Sequence, residues 1–413
     1  MVKRRKVKYF MTKLKEMRKK PITGLIVIAM AVFIDMLLYS IVVPLVPFYT
    51  SKFDASQTVI GILIGCYAFS FLIATPILGG ISDKFGRRGV MLWGLVVLLA
   101  STLLFAFANS MLLLIVARLL QGVAAAATWT AGLALITDMY PPAKRGKALG
   151  AVLTFMSAGT LLGAPVGGML FEWGGYQLPF WFVSCFILLD GLARMFLLED
   201  PPKTMNADSV GMKIFRDRIV LKVFGVVLLG ASAISILEPI LPIYFEEHLG
   251  ANSMHIGVLF GITTLAYGMV SPLAGWLSDR CGTFSLMMAG LLILAVSLPL
   301  VILPNSLILE GAVLFLVGAA AGFVLTPTLP ELANSVDRLG GGAYATAFAV
   351  FNMAYSLGMI LGPIAGGGLA DLFGLSTALY IMCFVLICYS LFSRLMKHEQ
   401  KICRMDELCW RKK

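Results

Sequence analysis

Twelve runs of about 20 mostly apolar residues, each long enough for an α-helix to cross the hydrocarbon of a bilayer, leave this chain little choice of fold. They lie near 22–49, 57–82, 90–108, 111–137, 147–171 and 177–198, then near 219–245, 254–278, 284–303, 307–334, 341–369 and 374–396. A water-soluble domain carries roughly 25% charged residues. Here only 13% of the 413 residues are charged and 59% are hydrophobic, so lipid is the solvent for most of the chain. The expected fold is an all-α membrane protein of twelve transmembrane helices.

The net charge of +11 is concentrated at the ends and in short turns. Residues 1–20 hold ten of the 33 Lys/Arg, with Glu16 as the acid among them, and seven more follow Phe392. A basic segment beside a first spanning helix rests on anionic lipid headgroups, and the excess predicts no nucleic-acid partner. The remaining positive residues fix orientation. Lys84, Arg87 and Arg88 follow the second run, and Lys144, Arg145 and Lys147 follow the fourth. Lys203, Lys213, Arg216, Arg218 and Lys222 separate the sixth from the seventh; Arg280 and Arg338 follow the eighth and tenth. The opposite turns offer Lys52. Short basic loops stay cytoplasmic, so both termini are expected inside.

The chain repeats itself. Pro44-x-x-Pro47-Phe-Tyr49, Ile60-Gly61, Pro76 and Ile81-Ser82-Asp83-x-x-Gly86 return as Pro239-x-x-Pro242-Ile-Tyr244, Ile256-Gly257, Pro272 and Leu277-Ser278-Asp279-x-x-Gly282. Gly159-x-x-x-Gly163-Ala-Pro165-x-Gly167-Gly168 returns as Gly358-x-x-x-Gly362-Pro363-x-x-Gly366-Gly367. Two six-helix halves in parallel repeat place a substrate site at their interface near mid-membrane. The expected divisions are a basic N-terminus (1–21), a first half (22–198), a linker (199–218), a second half (219–396) and a cytoplasmic tail (397–413).

Gly79-Gly-Ile-Ser-Asp83-Lys-Phe-Gly86-Arg87-Arg88 resembles the helix 2–3 loop signature of the major facilitator superfamily. Its glycines permit close helix approach, and Asp83, Arg87 and Arg88 can pair with neighbouring helix ends and latch one conformation. The copy at Gly275–Gly282 lacks the paired arginines, which predicts a weaker latch there. Arg118-x-x-Gln121-Gly122 resembles the buried-arginine motif of proton-coupled exporters, and the Gly/Pro pattern at Gly163-Ala-Pro165, whose repeat is Gly362-Pro363, resembles the antiporter motif of drug exporters. These residues are expected to serve conformational gating. Ile34-Asp35-Met36-Leu37-Leu38, Leu188-Leu189-Asp190-Gly191 and Leu237-Glu238-Pro239-x-Leu241-Pro242 are similar to helices 1, 6 and 7 of the vesicular amine transporter branch and its bacterial drug-exporter relatives. That resemblance gives Asp35 and Glu238 roles in cation recognition or proton coupling. The chain departs from the branch at Tyr67, where the branch has a lysine, and at Asn352, Leu325 and Ala231, where it has acids and an asparagine. It also lacks the branch's large loop after helix 1.

The residues support the same roles without the family. Ionisable groups inside spans cost about 2.5–3.5 kcal/mol on insertion scales and face a polar cavity or a partner. The chain keeps Asp35, Arg118, Asp190, Arg194, Glu238 and Glu331 there, while its three histidines are expected outside the spans. Asp35 and Glu238 have no basic residue within a turn. A buried carboxylate of that kind is stable neutral with a proton, or charged with a bound cation, and costly when charged alone. That exclusion is the chemistry of antiport. Asp190 and Arg194 stand at i and i+4 and are expected to pair within their helix. Arg118 either tunes a nearby acid or bonds carbonyls across its half; Glu331 is either a third proton-coupling acid and gate or an interfacial residue. Aromatic faces attract organic cations, and Tyr39, Tyr67, Tyr244, Tyr267, Phe348 and Tyr355 are candidate lining residues alongside Asn352, with Trp129 a further one.

The function expected is export of a small organic cation, an amine or a lipophilic drug, in exchange for protons, by a monomer that needs no cofactor and no metal. An exporter of neutral or zwitterionic compounds is the alternative; there Asp35 carries only the proton. No Gly-rich phosphate loop and no clustered His/Cys ligands point to an enzyme or an ATP-driven pump. The seven cysteines are scattered and form no disulfide or zinc spacing. Short loops without an Asn-x-Ser/Thr acceptor point to a bacterial cytoplasmic membrane.

Overall fold

The computed structural model describes residue 18 and residues 20–200, 217–338 and 344–410. The expected basic N-terminus and linker lie for the most part outside the described residues, as do the side chains of the tail. Every regular element described is helical. Among the described residues, twelve helices are long and apolar enough to cross a membrane: α1 (Pro21–Phe53), α2 (Gln57–Phe85), α3 (Arg87–Ala106), α4 (Met111–Met139), α5 (Lys144–Gly174) and α6 (Leu178–Leu197) in the first half, then α7 (Arg218–Leu249), α8 (Ser253–Cys281), α9 (Thr283–Leu300), α10 (Leu307–Arg338), α11 (Ala347–Phe373) and α12 (Leu375–Ser393). These bounds fall within a few residues of the apolar runs, because polar caps end both alike.

Helix starts follow capping chemistry. The hydroxyls of Ser56, Ser110 and Ser306 accept from the third backbone N–H of α2, α4 and α10, and the Asn252 side chain does the same for α8 in a reciprocal box with His255. Helix α2 stops at Gly86 (φ 100°) and α8 at Gly282 (φ 86°). A side chain at either φ is strained, which explains why both copies of the loop signature place glycine there. His248 and His255 prove not to lie outside the spans: they occupy the last turn of α7 and the first turn of α8.

Three helices are broken rather than straight. Helix α1 passes through a 3-10 turn at Val43–Leu45, α7 changes direction at Ile236, and α10 breaks between Leu325 and Thr328. Prolines stand beside each break (Pro44, Pro239, Pro327), where a missing N–H frees a carbonyl.

Within the halves, α5 packs along α1 and α11 along α7 through glycine. A Cβ on Gly163 would crowd the Leu37 carbonyl at 2.5 Å and the Ser40 Cβ at 2.7 Å, and one on Gly362 would crowd the Ser232 carbonyl at 2.6 Å. Between the halves, α2 packs on α11 and α5 on α8. At the end that carries the 1–2 and 7–8 turns these contacts are backbone to backbone. A Cβ on Gly61 would strike the Pro363 carbonyl, one on Gly257 the Ala164 carbonyl and Pro165, one on Gly367 Gln57, and one on Gly168 Ser253. This is a dry seam of small residues. Toward the other end the same helices part. A Cβ on Gly79 or Gly80 of α2, Gly146 or Gly150 of α5, or Gly268 or Gly275 of α8 would meet nothing, and Ile73 and Ile77 are 49% and 56% exposed.

Candidate functional site

Midway along the seam, four helices converge on two carboxylates. Asp35 on α1 is 2% exposed, among side chains from α1, α2, α4 and α11. Tyr67 of α2 donates its hydroxyl to Asp35 Oδ2 at 3.1 Å. One turn further along α1, the Tyr39 hydroxyl donates to Glu238 Oε2 at 2.8 Å, so a hydrogen bond from the first half reaches the acid of the second. The Tyr39 and Tyr67 rings lie 4.9 Å apart, centroid to centroid. The site is therefore two acid–tyrosine couples set side by side.

Arg118 stands behind both. Its guanidinium carbon lies 5.3 Å from the Tyr39 ring centre and 5.9 Å from that of Tyr67, within cation–π range. It donates to the Gln121 Oε1 at 3.2 Å and to the Tyr39 carbonyl at 3.4 Å, and it is 1% exposed. The local sequence explains the placement: a Cβ on Gly122 would strike Ser70 Oγ and the Tyr67 carbonyl, so only glycine lets α4 bring Arg118 this close to α2. The positive charge touches the tyrosines rather than either carboxylate. Its field steadies both acids without pairing with one, which leaves each acid free for a proton or an organic cation. Of the two roles open for Arg118 in the sequence, the contact with a carbonyl is present, to Tyr39.

The side chains around the couples are aromatic and soft. Met36, Phe71 and Trp129 pack around Tyr39 and Tyr67, and Met359 joins them from α11. The Trp129 N–H lies near Asp35 without a hydrogen-bond partner of good geometry, and Arg118 Nε and Gln121 Nε2 are likewise buried and unpartnered. Glu238 is half-buried whereas Asp35 is sealed. Tyr355 lies within electrostatic reach of Tyr39, Glu238 and Tyr267. Tyr267 itself sits against Ser271 and Thr326.

Other expected residues fall elsewhere. Tyr244 points away from the acids; its hydroxyl bonds the Ile302 carbonyl at 3.1 Å, and its ring stacks on His248. Asn352 and Phe348 are exposed on α11, with Phe351 stacked on Tyr355 between them and the site. Glu331 faces Arg338 at 3.4 Å beyond the break of α10. Asp83 pairs with Arg87, which also reaches Asp138 at 3.3 Å on the end of α4. The Arg88 N–H donates to Asp200 at 2.8 Å and its guanidinium to the Met195 carbonyl at 2.7 Å. These bonds of the loop signature stay within the first half and the start of the linker, and none reaches the second half. In the second half Arg280 stacks on Trp276 at 4.0 Å. Asp190 and Arg194 pair as expected, and the same guanidinium donates to the Met91 carbonyl and to Thr128 Oγ1, tying α6 to α3 and α4.

Glu310 is a residue that sequence reasoning missed. It lies in the first turn of α10, fully buried, with neither carboxylate oxygen hydrogen-bonded. Its position near the end of an apolar run disguised it as an interfacial charge. Met36, Phe71 and Met359 were missed as well, since nothing in sequence separates them from ordinary packing residues.

A model of the Major Facilitator Superfamily matches residues 28–236 and 223–401. An uncharacterised MFS-type transporter of Schizosaccharomyces pombe is 30% identical over 88% of this chain and 92% of its own length. The synaptic vesicular amine transporter of Homo sapiens is 28% identical over 85% of this chain and 70% of its own. Among solved structures, a bacterial homolog of the human lysosomal transporter Spinster, inward-facing and occupied, superposes with a TM-score of 0.77 over 91% of this chain and 96% of its own, at 15% identity.

Proposed function

Because this chain belongs to the Major Facilitator Superfamily and is a multi-pass membrane transporter, not an enzyme, we propose that it is a proton-coupled antiporter that exports cationic organic amines or drugs by alternating access. The observation that carries this reading is the pair of acid–tyrosine couples, Asp35–Tyr67 and Glu238–Tyr39, brought together between the two halves at 3.1 and 2.8 Å with no basic side chain paired to either acid. A sealed carboxylate holds a proton or a cation, and binding one displaces the other. Aromatic and thioether side chains around Asp35 suit an alkylammonium carrying a ring. The vesicular amine transporters among the relatives support an amine as cargo.

In this reading the separated end, which carries Lys84, Arg87 and Arg88, faces the cytoplasm. A cationic substrate enters there, meets half-buried Glu238 first, and exchanges for the proton on Asp35. The halves then rock, the seam end opens, and a proton from outside replaces the substrate. Tyr39, on α1 but bonded to the acid of α7, reports to each half the occupancy of the other. Glu331 and Tyr244 take no direct part. The relatives reported above are a yeast and a mammalian protein, and they lend no support to the bacterial location expected from short loops.

The test is uptake of labelled serotonin-like amines and ethidium into proteoliposomes under an imposed pH gradient, with an ionophore control. Wild type is expected to accumulate cations only while the gradient lasts, and Asp35→Asn and Glu238→Gln to lose that accumulation. Gradient-driven uptake of neutral but not cationic compounds assigns Asp35 to protons alone. Downhill flux indifferent to the gradient overturns antiport.

A further inference from the structure

We propose that Asp371 and Glu172 are a matched pair of clasps that hold the seam end shut, each by capping the first turn of a helix that belongs to the opposite half. An α-helix leaves its first backbone N–H groups without internal partners, and those groups are the positive end of its dipole. In α2 the third is satisfied by the helix's own Ser56, at 3.4 Å. The first two are not satisfied from within their half. Gln57 N donates to Asp371 Oδ1 at 3.0 Å and Thr58 N to Asp371 Oδ2 at 2.8 Å, with the Thr58 hydroxyl adding a third bond at 2.5 Å. Asp371 is on α11. Helix α8 repeats the arrangement: its own Asn252 takes the His255 N–H at 2.9 Å, while Ser253 N donates to Glu172 Oε1 of α5 at 3.1 Å.

The pairing is built into the repeat. Glu172 stands four residues after Gly168, and Asp371 four after Gly367; both steps are offset by 199 between halves. Each glycine is the one whose Cβ would strike the same helix start that the acid caps, Ser253 and Gln57 respectively. One turn of helix thus supplies both a contact with no room for a side chain and an anion aimed at the dipole beside it. The two clasps differ in strength: Asp371 accepts three hydrogen bonds and Glu172 one. Opening the seam breaks these bonds, so their contribution exists in one state only. This inference rests on the alternating-access reading but not on proton coupling or on the cargo.

The experiment measures conformation rather than transport. Spin labels at Asn109→Cys and Asn305→Cys, exposed positions at this end in opposite halves, are placed on the full chain in nanodiscs after its seven native cysteines are changed to alanine. Their distance distribution is compared with and without Asp371→Asn. Both carboxylates are exposed, so water offsets part of each bond; the ratio of long to short separations should rise about two- to fivefold in Asp371→Asn and by less in Glu172→Gln. Thr58→Val, which removes a single donor, should give a smaller shift in the same direction and replaces Asp371→Asn if that variant fails to elute as a single species. Unchanged distributions in both acid variants and in their double overturn the proposal, whatever the transport assay shows.

Discussion

Replacing Tyr39 by Phe removes one oxygen, and with it the hydrogen bond that joins the acid of the second half to the first. The bond is 2.8 Å long and its acceptor is a carboxylate. Hydrogen bonds to charged groups contribute about 1.5–3 kcal/mol, against about 1 for neutral ones. Glu238 is half-buried, so water can partly replace the lost donor, and the lower figure of about 1.5 kcal/mol applies. That corresponds to roughly a tenfold loss. Tyr39→Phe should therefore lower gradient-driven uptake of a cationic amine by roughly tenfold in proteoliposomes, while the ring contact with Arg118 persists. The decisive measurement is a double-mutant cycle with Glu238→Gln, read as equilibrium binding of the labelled amine, which does not depend on the gradient-driven uptake that Glu238→Gln is expected to lose. If the two side chains act through each other, the double variant loses little more than Glu238→Gln alone, giving a coupling energy above about 1 kcal/mol. Additive losses, with coupling below about 0.5 kcal/mol, would show that the bridge is incidental and refute the reasoning.

Three further outcomes follow from the packing. Arg194→Met leaves the Asp190 carboxylate buried without its cation, so the protein should lose about 3–5 kcal/mol of stability, and Asp190→Leu added to it should restore most of the loss in thermal unfolding followed by tryptophan fluorescence. Gly61→Val places atoms where the Pro363 carbonyl lies; it should shift spin-label separations across the seam to longer values and reduce uptake more than tenfold, whereas the same change at Gly79, which faces open space in this state, should leave the separations unaltered. Glu310→Met removes a polar group without a hydrogen-bond partner among the described residues from a fully buried position; its unfolding midpoint should rise by about 2 °C or more, and a fall would mean that the carboxylate has a stabilising role in the folded protein.

Hydropathy and the repeat made the twelve helices and their pairing legible, because bilayer thickness and backbone satisfaction admit few alternatives. The acids were legible for the same reason: a carboxylate in an apolar run is conspicuous, and Asp35 and Glu238 do converge. What joins them was not. Arg118, Tyr39 and Tyr67 come from three helices, and only the close approach at Gly122 shows that one guanidinium serves both tyrosines. Tyr244 lies apart from Glu238 because six residues of one unbroken helical segment carry it about 120° around α7, toward the Ile302 carbonyl. Asp371 and Glu172 left a trace in the sequence, an acid four residues after the second glycine of each Gly-Gly pair. What they bond is not legible there, because their partners are backbone N–H groups, which leave no mark on composition.

The glycine seam has a kinetic side. Most protein interfaces, on closing, must freeze long side chains into single rotamers, at up to about 2 kcal/mol each. Where Gly61 meets Pro363 and Gly257 meets Ala164, there is almost nothing to freeze. A surface that is made and broken once in every turnover is thus assembled from residues with no conformations to search, and its closing rate is set by the motion of whole helices rather than by the settling of side chains.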